Sequence, residues 1–179
     1  GAVVTSRVPA HQNTLGYDAD IIDVPNAGNT VLGNSQTSAS IRFSSPSENY
    51  MLQVVSTSIS QFTPEFNISK SSDDLNGGSL LPGEELRYTI SYVNSGNDTS
   101  TATIITDRIP TGTSYKPGSL SIDGVPKTDA PGDDEAEYDY VTNTVTFRIG
   151  TGANASDGGE MIPTASGSVS FDVYTASSC

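Results

Sequence analysis

The chain has no tryptophan, one cysteine, one histidine and only eight basic residues among 179. Each shortage excludes something. With Cys179 the single thiol, at the last position, no disulfide can close within the chain. Cys179 is expected either to mark a boundary or to pair with a thiol outside this sequence. His11 and Cys179 are far apart in sequence, which disfavours a transition-metal set. Neither G-x-S-x-G nor H-E-x-x-H occurs, so no nucleophile–base pair can be assembled and an enzyme is not expected. The missing tryptophan weakens a sugar-stacking platform, although 8 tyrosines keep one open. No apolar run approaches the roughly 18 residues of a membrane span, and the opening GAVVTSRVPAHQ lacks the apolar core of a signal peptide. Twenty-one acidic residues give a formal net charge of -13, which repels nucleic acid and anionic membranes and favours cations.

No long amphipathic helix can be read. Instead 17 Gly and 10 Pro, with abundant Ser, Thr and Asn, punctuate short stretches that alternate apolar with polar residues. In LRYTISYVN, Leu86, Tyr88, Ile90 and Tyr92 share one face; TVTFRIG repeats the device with Val145, Phe147 and Ile149, and SVSFDVYT with Val169, Phe171 and Val173. TATIITD (101–107) and GSLSIDG (118–124) supply shorter strands. This spacing predicts an all-β fold, an antiparallel β-sandwich from 64 to 179. Four further strands are expected upstream, at 2–8, 16–24, 37–44 and 50–60. Pro64, in FTPEF, marks the boundary. The 1–63 segment is expected to be the trailing part of a larger β domain, too short to fold independently.

The run from NISKSSDDLNGG through LLPGEELRYTISYVNSGN and TDRIPTGTSY, closed by SGSVSFDVYT, resembles the conserved repeat domain of bacterial surface proteins, domain-of-unknown-function family eleven. The elements that carry the likeness are Lys70, Pro82-Gly83, Tyr88-Thr89-Ile90, Asn94-Ser95-Gly96, Asp107, Pro110 and Gly112. The preceding segment is similar to what stands before such a repeat in large secreted proteins of gliding and predatory bacteria. The resemblance implies an immunoglobulin-like sandwich in an extracellular stalk or adhesin, without enzymatic activity. Its partners would be neighbouring domains of the same polypeptide, and another cell-surface protein or a glycan.

Three acidic stretches are candidate calcium sites. Ser72, Asp74, Asn76 and Gly77 match the opening half of a calcium loop, but the bidentate glutamate of an EF-hand would fall at Gly83, which excludes the full motif. A looser site would gather Asp73, Asp74, Asn76 and Glu84 or Glu85; the alternative is a solvated Asn-Gly turn. In TDAPGDDEAEYDY, Asp129, Asp133, Asp134, Glu135, Glu137 and Asp139 should repel one another and stay mobile unless a hard cation orders them; the alternative is an ordinary acidic surface loop. Asp18 and Asp20 would share one face of a strand, as ligands or as charges protecting an edge. Lys70 continues the inward register of Phe66 and Ile68. Pilin and adhesin modules that resemble this domain cross-link such a lysine to Asn or Asp with an acid's help, and Asp107 stands where the resemblance would place that acid. The final strand offers no Asn, Asp172 alternates with its apolar face, and Asn94, inward on its strand, runs into the Ser95-Gly96 turn, so a buried stem with a solvated or paired ammonium is the alternative. The sequons at Asn67, Asn97 and Asn154 read as incidental.

Overall fold

The computed structural model describes residues 21–27, 30–33, 36–44, 46, 52–59 and 61–176. The chain divides into two units, Gly1–Ser56 and Thr57–Cys179. Upstream of residue 61 the described residues form no strand, and all but Leu32 are exposed. The strand expected at 37–44 does not form, nor do the described parts of those expected at 16–24 and 50–60; the strand at 2–8 lies outside the described residues. Alternation alone does not make a strand, because an unpaired backbone has no ladder and Ile41 and Val54 have no face to bury. The order visible here is local: the Asn26 side chain accepts from the Val31 and Leu32 amides at 2.9 Å and donates to the Leu32 carbonyl at 2.8 Å, and Gln36 accepts from the Gly33 amide at 2.8 Å.

The second unit is built from ten strands: β1 (Phe66–Asp74), β2 (Glu85–Asn94), β3 (Ser100–Arg108), β4 (Thr113–Tyr115), β5 (Ser121–Ile122), β6 (Val125–Pro126), β7 (Ala136–Asp139), β8 (Thr144–Arg148), β9 (Gly159–Met161) and β10 (Ser166–Thr175). They form two antiparallel sheets. One runs β1-β2-β10-β5-β6, with β4 also pairing β10; the other runs β7-β8-β3-β9. Among the described residues no helix is long and apolar enough to cross a membrane.

The alternating residues of β2, β8 and β10 meet in one core. Leu86, Ile90 and Tyr92 bury against Val169, Phe171 and Val173 of the neighbouring strand and against Val145, Phe147 and Ile149 of the other sheet. Tyr88 packs at the margin of this cluster, half-buried. Leu120, from the short 118–124 stretch, is buried as well. In register, Phe66, Ile68, Lys70, Ser72 and Asp74 of β1 stand opposite the inward residues of β2. Yet β1 is exposed along most of its length, with Ile68 60% exposed. The second sheet has four strands and leaves this margin of the first uncovered.

The approach to β1 explains why the unit begins upstream of Pro64. Residues 61–65 strap across the turn after β2. The Asn97 amide and side chain donate to the Thr63 and Gln61 carbonyls, and the Ser95 and Gly96 amides donate to the Glu65 carbonyl. Gly96 is required where the strap crosses, because a Cβ there would meet the Thr63 carbonyl oxygen at 2.3 Å. Phe147 sits at 0% exposure in the centre of the core. Phe147→Ala is expected to cost about 3–5 kcal/mol, read as a shift of the urea midpoint at unchanged slope. A loss below about 1 kcal/mol would place β8 outside the cooperative core.

Candidate functional site

Lys70 links the two sheets. It lies on the inward face of the edge strand β1, where its register partner is Ile90. Its ammonium contacts the Asp107 carboxylate of β3, in the other sheet, and stands 4.4 Å from the centroid of the Tyr88 ring. Phe171 lies behind at 5.5 Å. The result is a clasp between the sheets at their open margin, an ion pair backed by a cation–π contact. Asp107, where the helping acid was expected, is brought to Lys70, but no acceptor weighed above is. Asn94 is four residues further along β2 than Lys70's partner, and Asp172 belongs to the opposite face of the sheet.

The Asp-Asn-Gly-Gly loop joins β1 to β2 and is closed by its own donors. The Asn76 side chain donates to Glu84 Oε1 at 2.7 Å, the Leu81 amide donates to Glu84 Oε2 at 2.6 Å, and the Asn76 amide donates to Asp74 Oδ1 at 3.2 Å. The Leu81 amide and the Asn76 side chain together hold the Glu84 carboxyl below its ordinary value. Asp73 and Asp74 cannot act together, since their partners Arg87 and Leu86 lie on opposite faces. Asp74 Oδ2 is buried and finds no donor among the described residues.

The 129–139 stretch is not a mobile cloud of like charges. Asp129 accepts from the Tyr115 hydroxyl at 2.5 Å and the Gly118 amide at 2.7 Å, while Asp133 accepts from the Thr128 hydroxyl. Asp134 accepts from the Thr128 and Ala136 amides at 2.8 Å; Glu135 pairs with Lys127, and Glu137 with Arg148. Asp139 closes a turn through the Val141 amide and Thr142 hydroxyl. Every carboxylate is held by a donor or a cation, so the stretch is ordered, and Lys127 and Arg148 offset two of its charges. Lys127 thus pulls the Glu135 carboxyl below its ordinary value, and the Thr142 hydroxyl does the same for Asp139. Among the described residues no three acidic, His or Cys side chains gather in a metal-holding arrangement. Asp18 and Asp20 lie outside the described residues.

Two polar centres were not legible as sites. Asp172 alternates outward on β10 yet is 2% exposed, because the turn between β4 and β5 lies over it. Arg87, its direct partner on β2, grips it with Nε at 2.7 Å and Nη2 at 2.9 Å; Lys116, paired with Glu85, stands 3.9 Å away, and Ser119 Oγ accepts from the Asp172 amide at 3.0 Å and donates to the Lys116 carbonyl at 2.6 Å. This carboxylate raises the Arg87 guanidinium. The second centre is Asn94, at 0% exposure. It donates to the Asp98 and Met161 carbonyls at 2.8 Å and accepts from the Glu65 and Gly96 amides, so all four of its hydrogen-bonding positions are filled. Opposite-sign residues at outward positions of two strands were the only advance signal of the Arg87–Asp172 pair, and that signal needs the register.

A cleft of about 510 Å3 opens where Tyr92, Asp123, Lys127, Glu135, Arg148 and Glu160 approach one another. Burial, with the Asp123 charge behind it, pushes the Tyr92 hydroxyl up to about 12. The Tyr115 hydroxyl is pushed up further, by burial and by its bond to Asp129. Comparison with known proteins gives no relatives: no family model, no curated protein and no solved structure matches this chain.

Arg87→Met would strand the Asp172 carboxylate under its turn. The expected loss is about 3 kcal/mol, at the lower end for breaking a buried pair because Lys116 remains nearby. The double variant Arg87→Met/Asp172→Leu should recover more than half of it, since no buried charge is then left alone. Equal losses for the single and double variants would mean that the pair is not what the outer face depends on.

Proposed function

We propose that the chain supplies a non-enzymatic structural or adhesive module of a larger extracellular bacterial surface protein, with the second unit an immunoglobulin-like spacer that carries tension. The observation that supports this reading is where the chain enters and leaves that unit. β1 starts opposite Asn94, the last residue of β2, and β10 finishes opposite Glu85, the first. Entry and exit are therefore separated by the length of β2, ten residues or about 30 Å at 3.3 Å per residue. Both strands pair with β2 through nine positions each. Antiparallel rungs lie perpendicular to the strands. Tension between Phe66 and Thr175 would then load the rungs of both ladders together, not one after another. A spacer in a stalk needs that geometry, and neighbouring domains of the same polypeptide would be its first partners.

The test is single-molecule pulling on the whole chain with two pairs of attachment points. Pulling from Phe66 and Thr175 should require a clearly higher force than pulling from Phe66 and Asn94, which lie at one end and would open the β1–β2 ladder rung by rung. Equal forces in the two geometries would remove the basis for the reading.

Calcium stiffening belongs to the same proposal, with Asp74, Asn76 and Glu84, which hydrogen bonds already link in this loop, as its ligands. Binding to the folded state alone stabilises it by about 2.7 kcal/mol at a hundredfold excess over Kd. Millimolar calcium should raise Tm more than magnesium does, and Asp74→Ala with Asn76→Ala should erase the difference. An unchanged Tm after chelation and readdition leaves the loop a turn closed by its own hydrogen bonds.

A second reading, a self-cross-linking module, is favoured by the Lys70–Asp107 contact. The bond would join Lys70 Nζ to the side-chain carbonyl carbon of an Asn or Asp, with Asp107 as the helping acid, and expel ammonia or water, so an intact mass lighter by either would support it and the unaltered mass would not. The glycan-binding alternative has less support, because Tyr92 in the cleft wall is 4% exposed and offers no open ring.

A further inference from the structure

We infer that Asn76 is a self-modification site, at which the Gly77 backbone nitrogen displaces the Asn76 side-chain amide. Asn76-Gly77 is the one Asn-Gly pair in the sequence. Ring closure requires that the following residue be uncrowded, that its N–H be free, and that the backbone be able to turn the nitrogen onto the side-chain carbon. Gly77 has a φ of +73°, with nothing within 4 Å of where a Cβ would stand, and Gly78 follows at +98°. Two successive glycines give the backbone a freedom that other residues lack. The Gly77 amide donates no hydrogen bond among the described residues, and Asn76 is exposed.

The atoms balance with water as the sole co-reactant. Gly77 N gives its proton to solvent and bonds to Asn76 Cγ; the bond from Cγ to Nδ2 breaks, and Nδ2 leaves as ammonia with a proton taken from water. The resulting five-membered imide then adds water at either carbonyl. One product is aspartate at position 76; the other is isoaspartate, in which the main chain runs through the side-chain carbon.

Three other asparagines of the second unit supply internal controls. Asn94 is buried with all four positions filled, Asn97 is tied to the strap through Thr63 and Gln61, and Asn154 holds the Ser156 and Asp157 amides. Both products replace the donor that Asn76 presents to Glu84 with a carboxylate, so that like charges face each other across the former 2.7 Å hydrogen bond. The loss reaches the end of β10. Glu84 also holds the Leu81 amide, while the Glu84 and Leu81 carbonyls accept from the Thr175 amide at 2.9 Å and the Thr175 hydroxyl at 2.8 Å. The modification therefore loosens the turn that fastens Thr175. This inference does not rest on the spacer reading, which is tested by force and not by mass.

The experiment is incubation of the whole folded chain at neutral and at mildly alkaline pH, followed by peptide mapping with an isoaspartate-specific label. The expected result is exchange of ammonia for water on the peptide that carries Asn76, faster at the higher pH, with isoaspartate present and the peptides of Asn94, Asn97 and Asn154 unchanged. Gly77→Ala and Asn76→Gln should each slow it several-fold. An unmodified Asn76 under conditions where a synthetic peptide of the same loop reacts would overturn the proposal, because the fold would then be protecting the site. Asn76→Asp, which reproduces one product, should speed hydrogen exchange at the Leu81 and Thr175 amides; unchanged exchange there would overturn the loosening.

Discussion

The two ladders made by β2 are the constraint on which the second unit depends. β2 is flanked along its length by β1 on one side and β10 on the other, with nine paired positions each. Its register decides which residues face inward, and a slip of one position would turn Leu86, Ile90 and Tyr92 to solvent and bring Arg87 and Ser91 into the core. The pins at the two ends of β2 oppose such a slip. Asn94 ties one end to the strap and to the Met161 carbonyl, and Glu84, with Thr175, ties the other. Between them Arg87 grips Asp172 on the outer face, while Ile90 faces Val169 on the inner one. The core fixes the register from inside and the polar pins fix it from the margins.

The central strands could be read in advance because their chemistry is periodic. Val145, Phe147 and Ile149, and Val169, Phe171 and Val173, are buried as their alternation requires. The same rule applied to 37–44 produced a strand that does not form, because period two records a preference that only a neighbouring strand can satisfy. It also assigned Phe66, Ile68 and Lys70 to the inward face of β1, and the register agrees. Exposure of that face depends on how far the second sheet extends, and no residue of β1 encodes that. Asp172 is the converse case: an outward position closed over by a turn from elsewhere in the chain.

The candidate sites were harder to read because a sequence displays carboxylates in a line and a fold distributes them. Six acidic residues between 129 and 139 look like a cluster until Tyr115, Gly118, Lys127 and Arg148 arrive from outside the stretch, and Thr128 at its start takes two more. Asp73 and Asp74 are adjacent in sequence and on opposite faces of the sheet. Lys70 and Asp107, 37 residues apart, are in contact. The Lys70–Asp107 pairing could be anticipated only through a resemblance, since nothing in their spacing brings them together.

The salt bridges have a consequence for how copies of the unit behave beside one another. The second unit holds seventeen acidic and six basic residues. Lys70, Arg87, Lys116, Lys127 and Arg148 are each paired inside it. Little positive charge is left to meet a neighbour's negative surface, so two copies of this unit repel one another in dilute salt. In more concentrated salt, where the Debye length falls from about 10 Å toward 3 Å, that repulsion is screened while the pairs held within the fold are screened less.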